Sequence, residues 1–167
     1  YSYIRTKNKV AAMQAFKDAS TGSYDKAIQE DAYFNYAKLA FDLNNDPSVF
    51  DSYISTYPSK AKGYKIYSYI ALAALYNHDY AGAVEAYDKI DVLDDDMKNN
   101  YIKANYLRAD QLIEAGSYRK AVPCLKAAAY YSDKRSAFNQ LSRYWLAESL
   151  YRSDDYAGAA EGYKVLY

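Results

Sequence analysis

Three short strings return at one fixed interval, and that interval constrains the fold more than any other feature. HDYAGA occupies 78–83, GSYRKA occupies 116–121 and DDYAGA occupies 154–159. Their tyrosines, Tyr80, Tyr118 and Tyr156, are 38 residues apart each time. Upstream of each lies a helical apolar pattern with a small residue, Ala71, Ala109 or Ala147. Twelve residues further on come Ala83, Ala121 and Ala159, and four residues beyond those come Tyr87, Leu125 and Tyr163. An earlier unit fits the same frame with Ala37, Val49 and Tyr53. A helical hairpin satisfies these offsets. Small residues on its first helix admit the second closely, and large residues at i+4 spacing fill the seam. Tyr80, Tyr118 and Tyr156, just past each turn, are placed to staple the two helices together. One such hairpin cannot bury its own apolar face, so the units must stack on neighbours.

The spacing predicts an all-α chain of about nine helices, near 2–20, 26–43, 47–57, 61–77, 79–91, 97–115, 117–131, 134–153 and 155–166. Asp46-Pro47 is a helix start, because proline suits the first turn, and Tyr57-Pro58-Ser59 is a stop. Gly116-Ser117 and Ser153-Asp154 read as turn and N-cap signals. Pro123, some six residues into its helix, predicts a local kink or a late start. GSYDKA at 22–27 looks like another copy, but Tyr24 precedes Tyr80 by 56 residues, which is not one period. Two readings stand there: a turn at 21–25 between two long helices, or a short extra helix at 24–30.

This pattern resembles the tetratricopeptide repeat (TPR) family over roughly residues 26–167. The matching positions are Tyr67, Ile70, Ala71, Tyr80, Ala83 and Tyr87 in one unit, and Leu146, Ala147, Leu150, Tyr156, Ala159 and Tyr163 in the last. Arg108, where a leucine is usual, and Asp46-Pro47 depart from the pattern. The resemblance implies a right-handed superhelical stack in one solenoid domain, with a helix of a truncated repeat at 1–25 and repeats at 26–59, 60–95, 96–132 and 133–167. The run Phe50-Asp51-Ser52-Tyr53-Ile54-Ser55-Thr56-Tyr57-Pro58-Ser59 is similar to a string found in TPR proteins of Gram-negative cell envelopes, as are runs 30–39 and 144–151. It implies an envelope-associated interaction protein in the periplasm or at the outer membrane, with a cytoplasmic site the alternative.

Composition removes several function classes. Lys+Arg and Asp+Glu both number 21, so the basic excess usual in a nucleic-acid binder is missing. No run of about 18 uncharged apolar residues exists to form a transmembrane helix. The single cysteine, Cys124, rules out an intrachain disulfide and a Cys-based zinc site, and the single histidine, His78, rules out a multi-His metal site. Cys124 reads as a small core hydrophobe and His78 as an exposed turn residue. Asp91, Asp94, Asp95 and Asp96 lack the alternation and glycine turn of a calcium loop and read as a solvated helix start. No phosphate-binding glycine loop or Ser/His/Asp constellation is present, so no cofactor and no catalytic residue is expected. Starting at Tyr1 rather than Met and stopping at Tyr167 within an apolar stretch, the chain reads as a piece of a larger protein, with any targeting signal out of view.

If the four small residues face the second helices, positions three before and one after them turn toward a groove. That predicts Phe34, Lys38 and Phe41 in the first unit, Lys65, Ser68 and Leu72 in the second, Lys103, Tyr106 and Asp110 in the third, and Tyr144, Glu148 and Tyr151 in the fourth. Aromatic rings with mixed charges suit a peptide or helix of a protein partner. The competing reading puts the tyrosines (23 in all) in the seams between repeats. The expected function is a non-catalytic protein-interaction scaffold, with exposed repeat ends that invite self-association. The alternatives are a glycan or peptidoglycan module stacking sugars on tyrosine, and a docking arm for a catalytic domain elsewhere.

Overall fold

The computed structural model describes the backbone of residues 2–22, 25–44, 48–57 and 60–167, and their side chains apart from 2–5 and 60–62. Among the described residues the regular structure is helical throughout, in nine helices: α1 (Ser2–Thr21), α2 (Lys26–Asn44), α3 (Ser48–Thr56), α4 (Lys60–Tyr76), α5 (Tyr80–Asp88), α6 (Asp95–Glu114), α7 (Tyr118–Tyr131), α8 (Ala137–Arg152) and α9 (Tyr156–Leu166). The two-helix reading holds at the 22–27 copy, since α2 runs unbroken from Lys26; Ser23 and Tyr24 lie outside the described residues. Asp46, Pro47, Pro58 and Ser59, the predicted start and stop signals around α3, also lie outside them.

The helix ends explain the repeating strings. After α4, α6 and α8 the chain takes one residue with positive φ, at His78 (58°), Gly116 (70°) and Asp154 (67°). Each marks a Schellman turn, closed by Asp79 N–H on Ala74 O (2.8 Å), Ser117 N–H on Leu112 O (2.7 Å) and Asp155 N–H on Leu150 O (2.9 Å). The next residue caps the second helix. Asp79 Oδ1 accepts from Gly82 N–H at 3.0 Å, and Asp155 Oδ1 accepts from Gly158 N–H at 2.9 Å. The cap of the last hairpin is therefore Asp155; the predicted signal Ser153-Asp154 supplies the end of α8 and the left-handed turn instead. Glycine at 82 and 158 follows from the same geometry: a Cβ at 158 falls 2.7 Å from Asp155 Oδ2, and one at 82 meets Asp79 Oδ2 closer still. In the middle copy Ser117 makes no side-chain cap bond, and Lys120 stands where the other two copies have glycine.

Elsewhere Asp94 Oδ1 caps α6 through Met97 N–H (2.8 Å), with Asp95 and Asp96 in the first turn, so the acidic loop is a helix start. Ser136 caps α8 through Asn139 N–H (3.1 Å). Pro123 does not delay α7, which begins at Tyr118. It sits on the exposed side, where the carbonyl it leaves unbonded can face water.

The chain forms two compact units, residues 1–66 and 67–167. In the first, α1 packs along α2, and α2 on α3. Ala32, Phe34, Ala37, Ala40, Phe50 and Tyr53 are buried. Tyr53 is the pivot: its ring lies 5.8 Å from Phe34 and 5.2 Å from Tyr57, and its hydroxyl donates to Glu30 at 2.8 Å. Burial and that carboxylate push its phenol well above the usual tyrosine range.

In the second unit each of α5 to α8 packs against the next helix in the chain. The predicted small residues close the seams: Ala71, Ala83, Ala109, Ala121 and Ala147 have no exposed surface, and Ala159 has 1%. Leu125 fills the seam of its hairpin with Ala109, Leu112 and Ala121, and Cys124, Trp145 and Leu146 pack around that cluster. Tyr87 stands edge-on to Tyr101 at 5.9 Å, and the Tyr101 hydroxyl donates to Asp88 at 2.5 Å. α9 approaches α8 closely, since a Cβ on Gly162 falls 3.0 Å from Ala147 Cβ. Between α7 and α8, buried Asn139 donates to Ala129 O (2.7 Å), Ser132 O (3.3 Å) and Ser132 Oγ (3.0 Å). The stapling role predicted for the turn tyrosines fits Tyr156, whose ring meets Tyr151 at 5.4 Å. Tyr118 instead lies 5.6 Å beneath the Arg152 guanidinium of the next hairpin, and Tyr80 hydrogen-bonds to the His78 ring at 2.8 Å.

Candidate functional site

The predicted groove positions fall into distinct surroundings. In the first unit, Phe34 is turned into the core, 9% exposed against Tyr53. Lys38 holds its amine 5.8 Å over the Phe34 ring, and Phe41 packs 5.1 Å from Phe50. On α2 these side chains are part of the packing, because Phe34, Ala37 and Phe41 recur at i+3 and i+4 and share one face. Lys65 is exposed.

In the second unit, α4 and α6 bring two predicted residues into one place. Leu72 and Lys103 line a half-open cleft of about 380 Å³. Leu75 and Leu107 add apolar surface, while Asn100, His78 and Tyr80 supply polar groups. Tyr76 also lines it and is 83% exposed. Ser68 is half-buried one turn before Leu72. The Schellman turn after α4 puts the chain's histidine at this cleft: His78 takes the left-handed conformation that Gly116 takes in the next copy. Sequence reasoning placed Leu72 and Lys103 in a groove but missed the other cleft residues. The signal was present in Leu72/Leu75 and Asn100/Lys103/Leu107, which repeat at i+3 and i+4 on successive first helices.

Tyr106 is half-buried, its ring 4.9 Å from Phe138 on α8, which links the third and fourth repeats. Burial, reinforced by Asp110 and opposed by Trp145, raises its phenol. Asp110 is exposed. On α8, Tyr144, Glu148 and Tyr151 follow i, i+4, i+7 and share a stripe. Tyr144 is 40% exposed against Trp145 (5.4 Å) and Tyr163 (6.4 Å). Glu148 accepts from the Tyr163 hydroxyl at 2.7 Å and from Arg152 Nε at 3.0 Å. Those two donors hold its carboxyl below the usual range, the tyrosine contributing most. The three residues form a surface of rings around a carboxylate already engaged by its neighbours.

Cys124 is half-buried, and burial raises its thiol, with Arg108 opposing. That is the environment of a packing residue rather than a nucleophile. No helix among the described residues is long and apolar enough to cross a membrane. No protein-family model matches the chain, and neither a curated protein nor a solved structure matches it.

Proposed function

We propose that the chain is a non-catalytic interaction scaffold of tetratricopeptide-repeat type, working in a Gram-negative cell envelope and binding a peptide or helix of a protein partner along its first helices. The observation that carries this reading is the cleft of α4 and α6. It joins a leucine surface to one amine, one amide and an 83% exposed tyrosine ring. Such a mixture of apolar area and a few polar groups is what a peptide side chain needs to be held and oriented. Its wall is built on helices rather than on long loops, so the surface is preorganised and little ordering entropy is lost on binding.

The test is a crosslinking pull-down from envelope extract, with the wild-type chain and a Tyr76→Ser/Lys103→Glu double variant as baits. Both positions are exposed, so the variant keeps its fold. A protein captured by the wild type and lost by the variant supports the reading. Capture unchanged by the variant moves binding away from this cleft, and retention of glycan with no protein overturns the scaffold reading in favour of a saccharide module.

A further inference from the structure

A second groove, of about 250 Å³, lies among α7, α8 and α9 and shares no residue with the first-helix cleft. Lys126 and Tyr130 come from α7, Arg143 and Leu146 from α8, and Gly162 and Val165 from α9. Arg143 is the unusual member. Its Nε is closed off from solvent and finds no hydrogen-bond acceptor in the protein. Arg108, Arg119 and Arg152 each donate to a protein oxygen, at Gln111, Ser153 and Glu148. A buried donor with no acceptor carries a free-energy cost, which the partly exposed side chain sheds when it turns its guanidinium out to an acceptor in the groove.

The charge around it has one sign. Arg143 and Lys126 are the only charged side chains among the described residues lining the groove. Beside them the surface is apolar and open, with Val165 65% exposed and the Tyr130 ring 82% exposed. A guanidinium presents a planar fork that matches a carboxylate in two parallel hydrogen bonds. An aliphatic or aromatic side chain adjacent to that carboxylate has Leu146, Val165 and Tyr130 to pack on.

We propose that this groove binds an acidic segment of a protein partner, an Asp or Glu carboxylate pairing with Arg143 and Lys126 while a neighbouring apolar side chain covers Leu146 and Val165. The proposal stands whether or not the first-helix cleft binds anything.

The probes are two fluorescein-labelled, end-blocked peptides, one with a Leu-Glu-Phe-Asp core in Gly/Ser flanks and one with Leu-Gln-Phe-Asn in the same flanks. Fluorescence anisotropy on the whole chain follows binding. The acidic peptide is expected to bind about tenfold tighter than its amide twin, a ratio appropriate to one charged hydrogen-bonded pair, and the preference shrinks as salt is raised. Arg143→Gln erases the preference, Arg143→Lys restores part of it, and Lys134→Gln, at an exposed position lining neither cleft, leaves it intact. Val165→Glu, at an exposed position, weakens the acidic peptide while circular dichroism and Tm stay unchanged, and it carries the test should Arg143→Gln misfold. Equal binding of the two peptides, a preference that survives Arg143→Gln or Val165→Glu, or no saturable binding up to about 1 mM overturns the proposal.

Discussion

The two aspartate caps make glycine at 82 and 158 a consequence of the cap rather than an independent choice, and a double-mutant cycle measures this. Glycine inside a helix costs about 1 kcal/mol relative to alanine, so Gly82→Ala taken alone looks stabilising. The added Cβ collides with Asp79 Oδ2, whose carboxylate must move and release Gly82 N–H. An N-cap aspartate is worth about 1 kcal/mol. Gly82→Ala in the wild type therefore gains and loses similar amounts and ends near zero or below it. Asp79→Ala alone costs about 1 kcal/mol through the lost cap. With the carboxylate gone, Gly82→Ala recovers its full gain of about 1 kcal/mol. The double variant then matches the wild type, and the coupling between the sites is about 1 kcal/mol, well beyond the few tenths expected of independent sites. Urea unfolding followed by far-UV circular dichroism gives the four free energies, and the pair Asp155/Gly158 serves as a replicate. A Gly82→Ala variant that stabilises the wild type as much as the Asp79→Ala background refutes the reasoning.

Other perturbations test separate features. Gly162→Val is expected to lower stability by about 2 kcal/mol, since even a Cβ falls 3.0 Å from Ala147 Cβ and an overfilled seam must spread; a Tm equal to wild type rejects the close approach of α8 and α9. Gly116→Ala costs about 1 kcal/mol, because φ of 70° is strained for any residue with a Cβ, and thermal unfolding checks it. At alkaline pH, Tyr87, pushed up to about 12 mainly by burial, and Tyr163, pushed up to about 12 mainly by its bond to the Glu148 carboxylate, hold their protons after unfolded tyrosines near 10 have lost theirs. Their folded pKa values are raised, so their contribution is complete below pH 10 and disappears between about 10 and 12. Absorbance at 295 nm should show a late group of tyrosines ionising together with unfolding; the absence of any such late group contradicts the burial of Tyr87 and the Tyr163–Glu148 bond.

The repeat frame was legible because steric fit depends on spacing, and spacing is written in the chain. Offsets alone located Ala37, Ala71, Ala109 and Ala147, each without exposed surface, and located Leu125 in its seam. Cap assignments slipped by one or two residues where several candidates adjoin: Ser153, Asp154 and Asp155 all suit a helix boundary, and only backbone dihedrals tell which one turns left-handed. Groove positions were the least legible. A fixed offset from the small residue treats every first helix alike, yet Phe34 is packed into a core around Tyr53 while Lys103 stands in the open. Which flank of a helix stays exposed is decided by neighbours distant in sequence, and helical periodicity carries no information about them. The Arg143 groove left no motif because its residues, from 126 to 165, meet through packing alone.

The helix order of the second unit has a kinetic consequence. Each of α5 to α8 rests on the helix made just after it, so few contacts wait for a remote part of the chain. Low contact order of this kind places folding in the microsecond-to-millisecond range, because little loop entropy is lost before contacts form. The Asn139 bonds to Ala129 and Ser132 close loops of only ten and seven residues, which form within roughly 10–100 ns. A chain built this way can acquire structure hairpin by hairpin as it leaves the ribosome, with α5 and α6 paired before α9 has been synthesised.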